Sequence, residues 1–164
     1  MLRAARRELA EAQDIRVLET SALYESEPWE REPGSGLDEQ TWYLNCVVSI
    51  ETELSPTELL ARLQAIEAGL GRSRPAGTPE AQRFAPRTID IDILFYGDQV
   101  ISVPDDLHVP HLLLHERAFV LRPLRDLAPA FVHPTLYHTV DELDEELEDD
   151  HAVRPGDYPP QWYA

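Results

Sequence analysis

Apolar residues open the chain at helical spacing: Leu2, Ala5, Leu9 and Ala12 fall on one side of a helix predicted over residues 2–13. The period then shortens to two. Ile15, Val17, Glu19, Ser21 and Leu23 alternate with Arg16, Leu18, Thr20, Ala22 and Tyr24, so the first half of 15–29 reads as a strand, ended by Ser26, Glu27 and Pro28. Residues 30–39, with Pro33, Gly34, Ser35 and Gly36, read as a polar flexible loop. Residues 42–54 are dense in β-branched and aromatic side chains and give the strongest strand signal. Ser55 then caps a helix, with Pro56 in its first position and Glu58 able to close a capping box. Its apolar stripe is Leu59, Leu63, Ile66 and Leu70, and Gly71 ends it. After a loop over 72–87 come a strand over 88–96, a turn at Gly97-Asp98, a short strand over 100–103 and a helix over 117–127. An acidic, helical segment (141–150), expected to be a solvated face, precedes a Pro-rich tail expected to be unstructured.

The order helix, strand, strand, helix, strand, short strand, helix predicts an α+β fold, one sheet with helices packed on a face. One further strand at the front would make it βαββαβ, the ferredoxin-like arrangement. The 164 residues suit one domain over 1–150 followed by a tail, 151–164. No apolar run is long enough to span a membrane, no leader opens the chain, and the lone Cys46 sits in an apolar run as a buried, inert thiol. A cytoplasmic monomer is expected.

Charge narrows the function. The net value is −17 and all 14 basic residues are arginine, an acidic surface that repels nucleic acid and anionic lipid. Half of those arginines (72, 74, 83, 87, 117, 122 and 125) lie between Gly71 and Arg125, where seven acids balance them. Chance clustering in a lysine-free chain is one reading. The other is a phosphate-binding surface built from guanidinium forks.

Candidate chemistry centres on Pro86-Arg87-Thr88-Ile89-Asp90-Ile91-Asp92. On a strand, Ile89, Ile91 and Ile93 face one way and Asp90 and Asp92 the other. Two carboxylates on one face repel, and a hard cation such as magnesium, sharing phosphate oxygens, removes the repulsion. Spacing alone leaves this open against a wet face carrying two solvated aspartates. Arg87 beside the pair and Gly71-Arg72-Ser73-Arg74 after the helix add the positive charge that a polyphosphate needs. His133, His138 and His151 read as surface or capping residues.

The segments Tyr43-Leu44-Asn45, Gly71-Arg72-Ser73-Arg74, Arg87-Thr88-Ile89-Asp90-Ile91-Asp92, Val109-Pro110-His111 and Glu116-Arg117-Ala118-Phe119, in this order, resemble those of the 6-hydroxymethyl-7,8-dihydropterin pyrophosphokinases. The resemblance implies transfer of the β,γ-diphosphate of ATP to the pterin hydroxymethyl oxygen, releasing AMP, in folate biosynthesis. It implies that Asp90 and Asp92 hold two magnesium ions bridging the triphosphate. Arg72 and Arg87 match catalytic positions, and Arg74, His111 and Arg117, with Gln64 and Glu67 on the preceding helix, match nucleotide-side positions. The pterin falls to Asn45 for the amide edge of its ring and to Tyr43 and Phe119 for its faces, with Pro28, Trp29 and Phe84 around it. Ordinary core packing is the competing account of Tyr43 and Phe119.

Several positions depart from the family pattern. Phe84 stands where tryptophan is usual, Leu112 where an aromatic is common, and the interval from Arg74 to Phe84 is long. The family's first strand, central in its sheet, has no counterpart, since Met1 falls within the first helix. A truncated, inactive or nucleotide-binding-only relative is therefore the second reading. A nuclease using the aspartate pair fits the acidic surface poorly.

Overall fold

The computed structural model describes residues 1–34, 42–71 and 89–164. They divide into two compact units, Met1–Arg16 with Thr52–Asp92 and Tyr163, and Val17–Glu51 with Ile93–Trp162 and Ala164.

Two helices make the first unit. α1 (Leu2–Glu11) buries Ala5 and Leu9, α2 (Pro56–Gly69) buries Leu59 and Leu63, and the helices pack together. The predicted capping box is present: Ser55 Oγ accepts from the Glu58 N–H while the Glu58 carboxylate accepts from the Ser55 N–H at 2.8 Å. Gly71 follows α2 at φ +97°, a left-handed conformation that costs glycine least. An Arg62–Asp14 ion pair and a 2.6 Å hydrogen bond from Thr52 Oγ1 to the Asp14 carbonyl fix the turn after α1.

The strands form three small sheets among the described residues rather than the single sheet expected. β1 (Ile15–Thr20) pairs with β4 (Val48–Thr52). β2 (Tyr24–Ser26) is the centre of an antiparallel sheet, flanked by β3 (Tyr43–Asn45) and β7 (Val153–Pro155). β5 (Ile101–Val103) and β6 (Leu107–Val109) form an antiparallel hairpin after the turn at Gly97-Asp98. The strand predicted in the first half of 15–29 and the one predicted over 42–54 break at one shared point. There the Ser21 N–H donates to the Val47 carbonyl and the Val47 N–H to Ser21 Oγ, both at 2.9 Å, so the same two segments stay joined while the regular ladder is interrupted.

Residues 89–96, expected as a strand, join no ladder among the described residues. The burial alternation holds, with Ile89 and Ile93 buried and Asp90 and Asp92 exposed. Periodicity reports which side chains are covered, not whether a neighbouring strand exists. Backbone groups here bond elsewhere: the Ile91 N–H goes to the Glu67 carboxylate, and the Leu94 carbonyl accepts from the His111 N–H.

The second unit's core is Leu114, Leu121, Leu124, Val140 and Leu143, with Val47, Leu94, Phe95 and Phe131 packed on it. It lies between α3 (Ala118–Leu127) and the short α4 (Val140–Glu145). The acidic segment keeps a solvated face, with Glu142, Glu145, Glu146, Glu148 and Asp150 exposed, but it also has an inward anchor. Asp144 is buried, receiving Arg122 Nε at 2.5 Å and an Arg125 Nη at 3.0 Å, and so ties α4 to α3. The tail is not unstructured. Its β7 pairs with β2, and Trp162, 3% exposed, donates its indole N–H to the Ser21 carbonyl at 3.0 Å.

Candidate active site

The predicted residues fall in both units. Asp90 and Asp92 belong to the first and are exposed on either side of Ile91. α2 presents Gln64 to solvent and buries Glu67 to 4% exposure one turn later. A Glu67 carboxylate oxygen accepts the Ile91 N–H at 2.7 Å, the peptide between the two aspartates. Glu67 is therefore a strut beneath the acidic pair. That hydrogen bond is its warrant for burial, since an unsatisfied carboxylate there would be costly. Among the described residues no group of three or more His, Cys, Asp or Glu side chains is placed to hold a metal ion.

The aromatic group lies in the second unit. β2 and β3 run in a register that sets Ser26 opposite Tyr43 and Tyr24 opposite Asn45. Ser26 is buried, and its Oγ accepts from Asn45 Nδ2 at 2.7 Å, which fixes the plane of that amide. Tyr43 is 51% exposed and donates its hydroxyl to a Glu30 carboxylate oxygen at 3.2 Å. Burial, reinforced by Glu30, pushes this phenol above its ordinary pKa. Pro28 is buried and Trp29 half-buried in the loop that follows β2. The Arg117 guanidinium lies 4.5 Å from the Trp29 ring centre and 5.6 Å from that of Phe119, a cation between two π-faces. Its Nε is buried without a hydrogen bond among the described residues. His111 follows the cis Val109–Pro110 peptide and is half-buried, its Nδ1 accepting from the Leu113 N–H at 3.3 Å. Cys46 is inert by environment, since burial pushes its thiol up to about 11. Arg72, Arg74, Phe84 and Arg87 lie outside the described residues.

A family model described as 7,8-dihydro-6-hydroxymethylpterin-pyrophosphokinase matches residues 1–129. The chain belongs to this family. A pyrophosphokinase from Methylorubrum extorquens, named as acting on 2-amino-4-hydroxy-6-hydroxymethyldihydropteridine, is 43% identical over 132 residues, 80% of this chain and 75% of the relative. A protein of the same name from Haemophilus influenzae is 35% identical over 153 residues, 93% and 87% of the two chains. The folic acid synthesis protein FOL1 of Dictyostelium discoideum is 42% identical over 124 residues, and there the match spans 76% of this chain but 17% of the relative.

The match to the pyrophosphokinase family takes in every predicted site residue from Pro28 to Phe119 and stops before α4 and β7. Four residues that sequence reasoning missed nevertheless support the aromatic group: Ser26, Glu27, Asp149 and His151. Glu27 is buried and holds two chain segments at once. One carboxylate oxygen accepts from the Gly34 N–H at 3.1 Å and the other from the Ala152 N–H at 2.7 Å. Asp149 accepts from the Ala118 N–H at 2.9 Å and so serves the first turn of α3, which has no side-chain cap of its own. A carboxylate set between Ser26 and Pro28 is a faint local signal. Asp149 and His151 left none, because the groups they tie down, the Ala118 N–H and the Arg31 carbonyl, lie 31 and 120 residues away. No helix of the described residues is long and apolar enough to cross a membrane.

Proposed function

We propose that this chain transfers the β,γ-diphosphate of ATP to the hydroxymethyl oxygen of 6-hydroxymethyl-7,8-dihydropterin and releases AMP, as a step of folate biosynthesis. The observation that carries the reading is the family match over residues 1–129, which spans both the acidic pair and the aromatic group. In the reaction the pterin hydroxyl oxygen bonds to the β-phosphorus as the bond from that phosphorus to the α-phosphate oxygen breaks, so AMP is the leaving group.

Asp90 and Asp92 would hold magnesium with ATP, two ions in our reading. Exposed carboxylates alternating with buried isoleucines fit a hard cation that keeps water and phosphate oxygens among its ligands. When bound, the metal neutralises the triphosphate and the charge that develops during transfer. Glu67 keeps the aspartates in register through Ile91, and Gln64 meets the nucleotide. Arg72 and Arg87 act on the transferring phosphates, while Arg74, His111 and Arg117 bind them. Asn45, oriented by Ser26, reads the amide edge of the pterin. Tyr43, Phe84 and Phe119 offer π-faces, and Pro28 and Trp29 close around the ring.

The arrangement is, in this reading, the ferredoxin-like one, with the central first strand not among these residues. The strand-like burial of residues 89–93, which join no ladder among the described residues, supports it. Residues 1–150 act as one functional domain, in a cytoplasmic monomer whose partners are small molecules. The test is AMP release from ATP and magnesium with and without the pterin. AMP that forms only with pterin and disappears in Asp92→Ala supports the reading; ATP binding without pterin-dependent AMP overturns it.

A further inference from the structure

Beyond the family match, residues 149–152 connect three parts of the aromatic group. Asp149, its side chain 4% exposed, accepts from the Ala118 N–H at 2.9 Å with one carboxylate oxygen. The other accepts from the His151 N–H at 3.0 Å and meets His151 Nδ1 at 2.5 Å. His151 Nε2 lies 2.5 Å from the Arg31 carbonyl, and the imidazole, 12% exposed, stacks on Trp29 with centroids 6.1 Å apart. Glu27 fastens the same segment to the loop, since its N–H donates to the Ala152 carbonyl at 3.1 Å and its carboxylate accepts the Ala152 N–H at 2.7 Å.

The partners of His151 dictate its charge. A carboxylate and a carbonyl only accept, so both ring nitrogens must donate, which only the imidazolium can do. Charge supports the same form: Asp149 and Glu27 both favour a positive ring, and the nearby Arg117 guanidinium stands against Trp29. Burial alone would lower the imidazole pKa, but the Arg31 carbonyl, Asp149 and Glu27 outweigh it and the net shift is upward.

We propose that Asp149 and His151 are positioning residues for the pterin side of the site, setting the Trp29 ring and the start of α3 so that Trp29, Arg117 and Phe119 keep their mutual placement. The proposal rests on the pyrophosphokinase reading above. Asp149 acts through the Ala118 N–H, one residue from Arg117 and from Phe119. His151 acts through the Arg31 carbonyl and the indole face. Loss of the proton on His151 removes one of its two donors and frees the loop from Pro28 to Gly34 at one end.

The test is steady-state AMP formation by the full chain from pH 6 to 9, with ATP and the pterin varied in turn. His151→Phe keeps an aromatic ring on Trp29 and removes both hydrogen bonds, while His151→Gln keeps a donor but cannot titrate. For His151→Phe the pterin KM is expected to rise about five- to twenty-fold, the loss of one or two such bonds, with kcat and the ATP KM within about twofold. In the native chain the pterin KM climbs with pH as His151 deprotonates, and in His151→Gln that climb flattens. A cooperative melt for either variant shows that it is folded. Full turnover by the native chain with an unchanged pterin KM in both variants overturns this proposal alone, as does an equal rise of both KM values. Absence of pterin-dependent AMP from the native chain overturns the underlying reading and this proposal with it.

Discussion

The acidic pair and the aromatic group are built by opposite means. Asp90 and Asp92 stand exposed on a segment that joins no ladder among the described residues, and Glu67, only 23 residues before Asp90, supports the peptide between them. Trp29, Arg117 and Phe119 instead hold one another through ring and guanidinium contacts, backed by hydrogen bonds from the Ala152 N–H to Glu27 and from the Ala118 N–H to Asp149. A site that works by charge needs its residues in register and little packing around them. A site that works by shape needs walls, and here the walls come from distant parts of the chain. Substitution of the exposed aspartates should therefore change activity without stability, whereas substitution of the buried Glu67 beneath them should change both.

The largest effect is expected at the acidic pair. Asp92→Ala should lower pterin-dependent AMP formation by roughly 10²–10³-fold, the scale of removing one preorganised electrostatic group, and leave the melt unchanged because the side chain is exposed. A similar loss of melting temperature would break the comparison by making Asp92 a structural residue. Glu67→Ala should behave otherwise. It strips a buried acceptor from the Ile91 N–H, so stability should fall by about 1.5–3 kcal/mol, as for a hydrogen bond to a charged group, and activity should fall with it. Urea unfolding beside the same AMP assay reads both.

Much of this was legible in the sequence where a signal is local. Ser55, Pro56 and Glu58 specified the start of α2 because capping chemistry acts over three residues, and the alternation of isoleucine with aspartate gave the burial of residues 89–93. The strand over 42–54 was legible as strand but not as two, because its break depends on Ser21 meeting Val47 across 26 positions. The tail was misread for the same reason. Proline density describes local propensity, whereas β7 and Trp162 are held by β2 and Ser21 from the other end of the chain. Among site residues the same division holds: Asp90 and Asp92 carried a pattern, Tyr43 and Phe119 needed the family resemblance, and Asp149 and His151 emerged only from the fold.

A subtler change sharpens the aromatic side. Ser26→Ala should raise the pterin KM by about three- to ten-fold, since Asn45 loses the acceptor that fixes its amide, while the ATP KM stays constant. A change confined to kcat would mean that Asn45 is held by something other than Ser26. Tyr24 provides a control in the same sheet. Burial and the neighbouring Asp126 raise its hydroxyl pKa to about 12, so it stays neutral and Tyr24→Phe should leave both KM values within twofold.

The smallest effect is a matter of pH and sign. His151 has its folded pKa raised, so its contribution to stability is complete below the unfolded value of about 6.5 and is lost as pH rises through the folded value. Asp149 runs the other way. Burial pushes its carboxyl up, but the Ala118 and His151 N–H groups and the imidazole hold it below its ordinary range, so its contribution is present above about 3.9 and fades as pH falls toward the folded value. Buried His133, held low first by burial and then by His115, favours its neutral form and makes stability rise with pH up to about 6.5, below the window in which the His151 contribution is lost. Total stability against pH would mix these slopes. The difference between the native chain and His151→Gln cancels His133, since the two histidines share no hydrogen bond. That difference should be about 1 kcal/mol at pH 6, the worth of one hydrogen bond, and shrink toward pH 9. Urea unfolding across that range reads it directly, and a gap that widens with pH would mean that His151 is held neutral and does not bridge Asp149 to the Arg31 carbonyl.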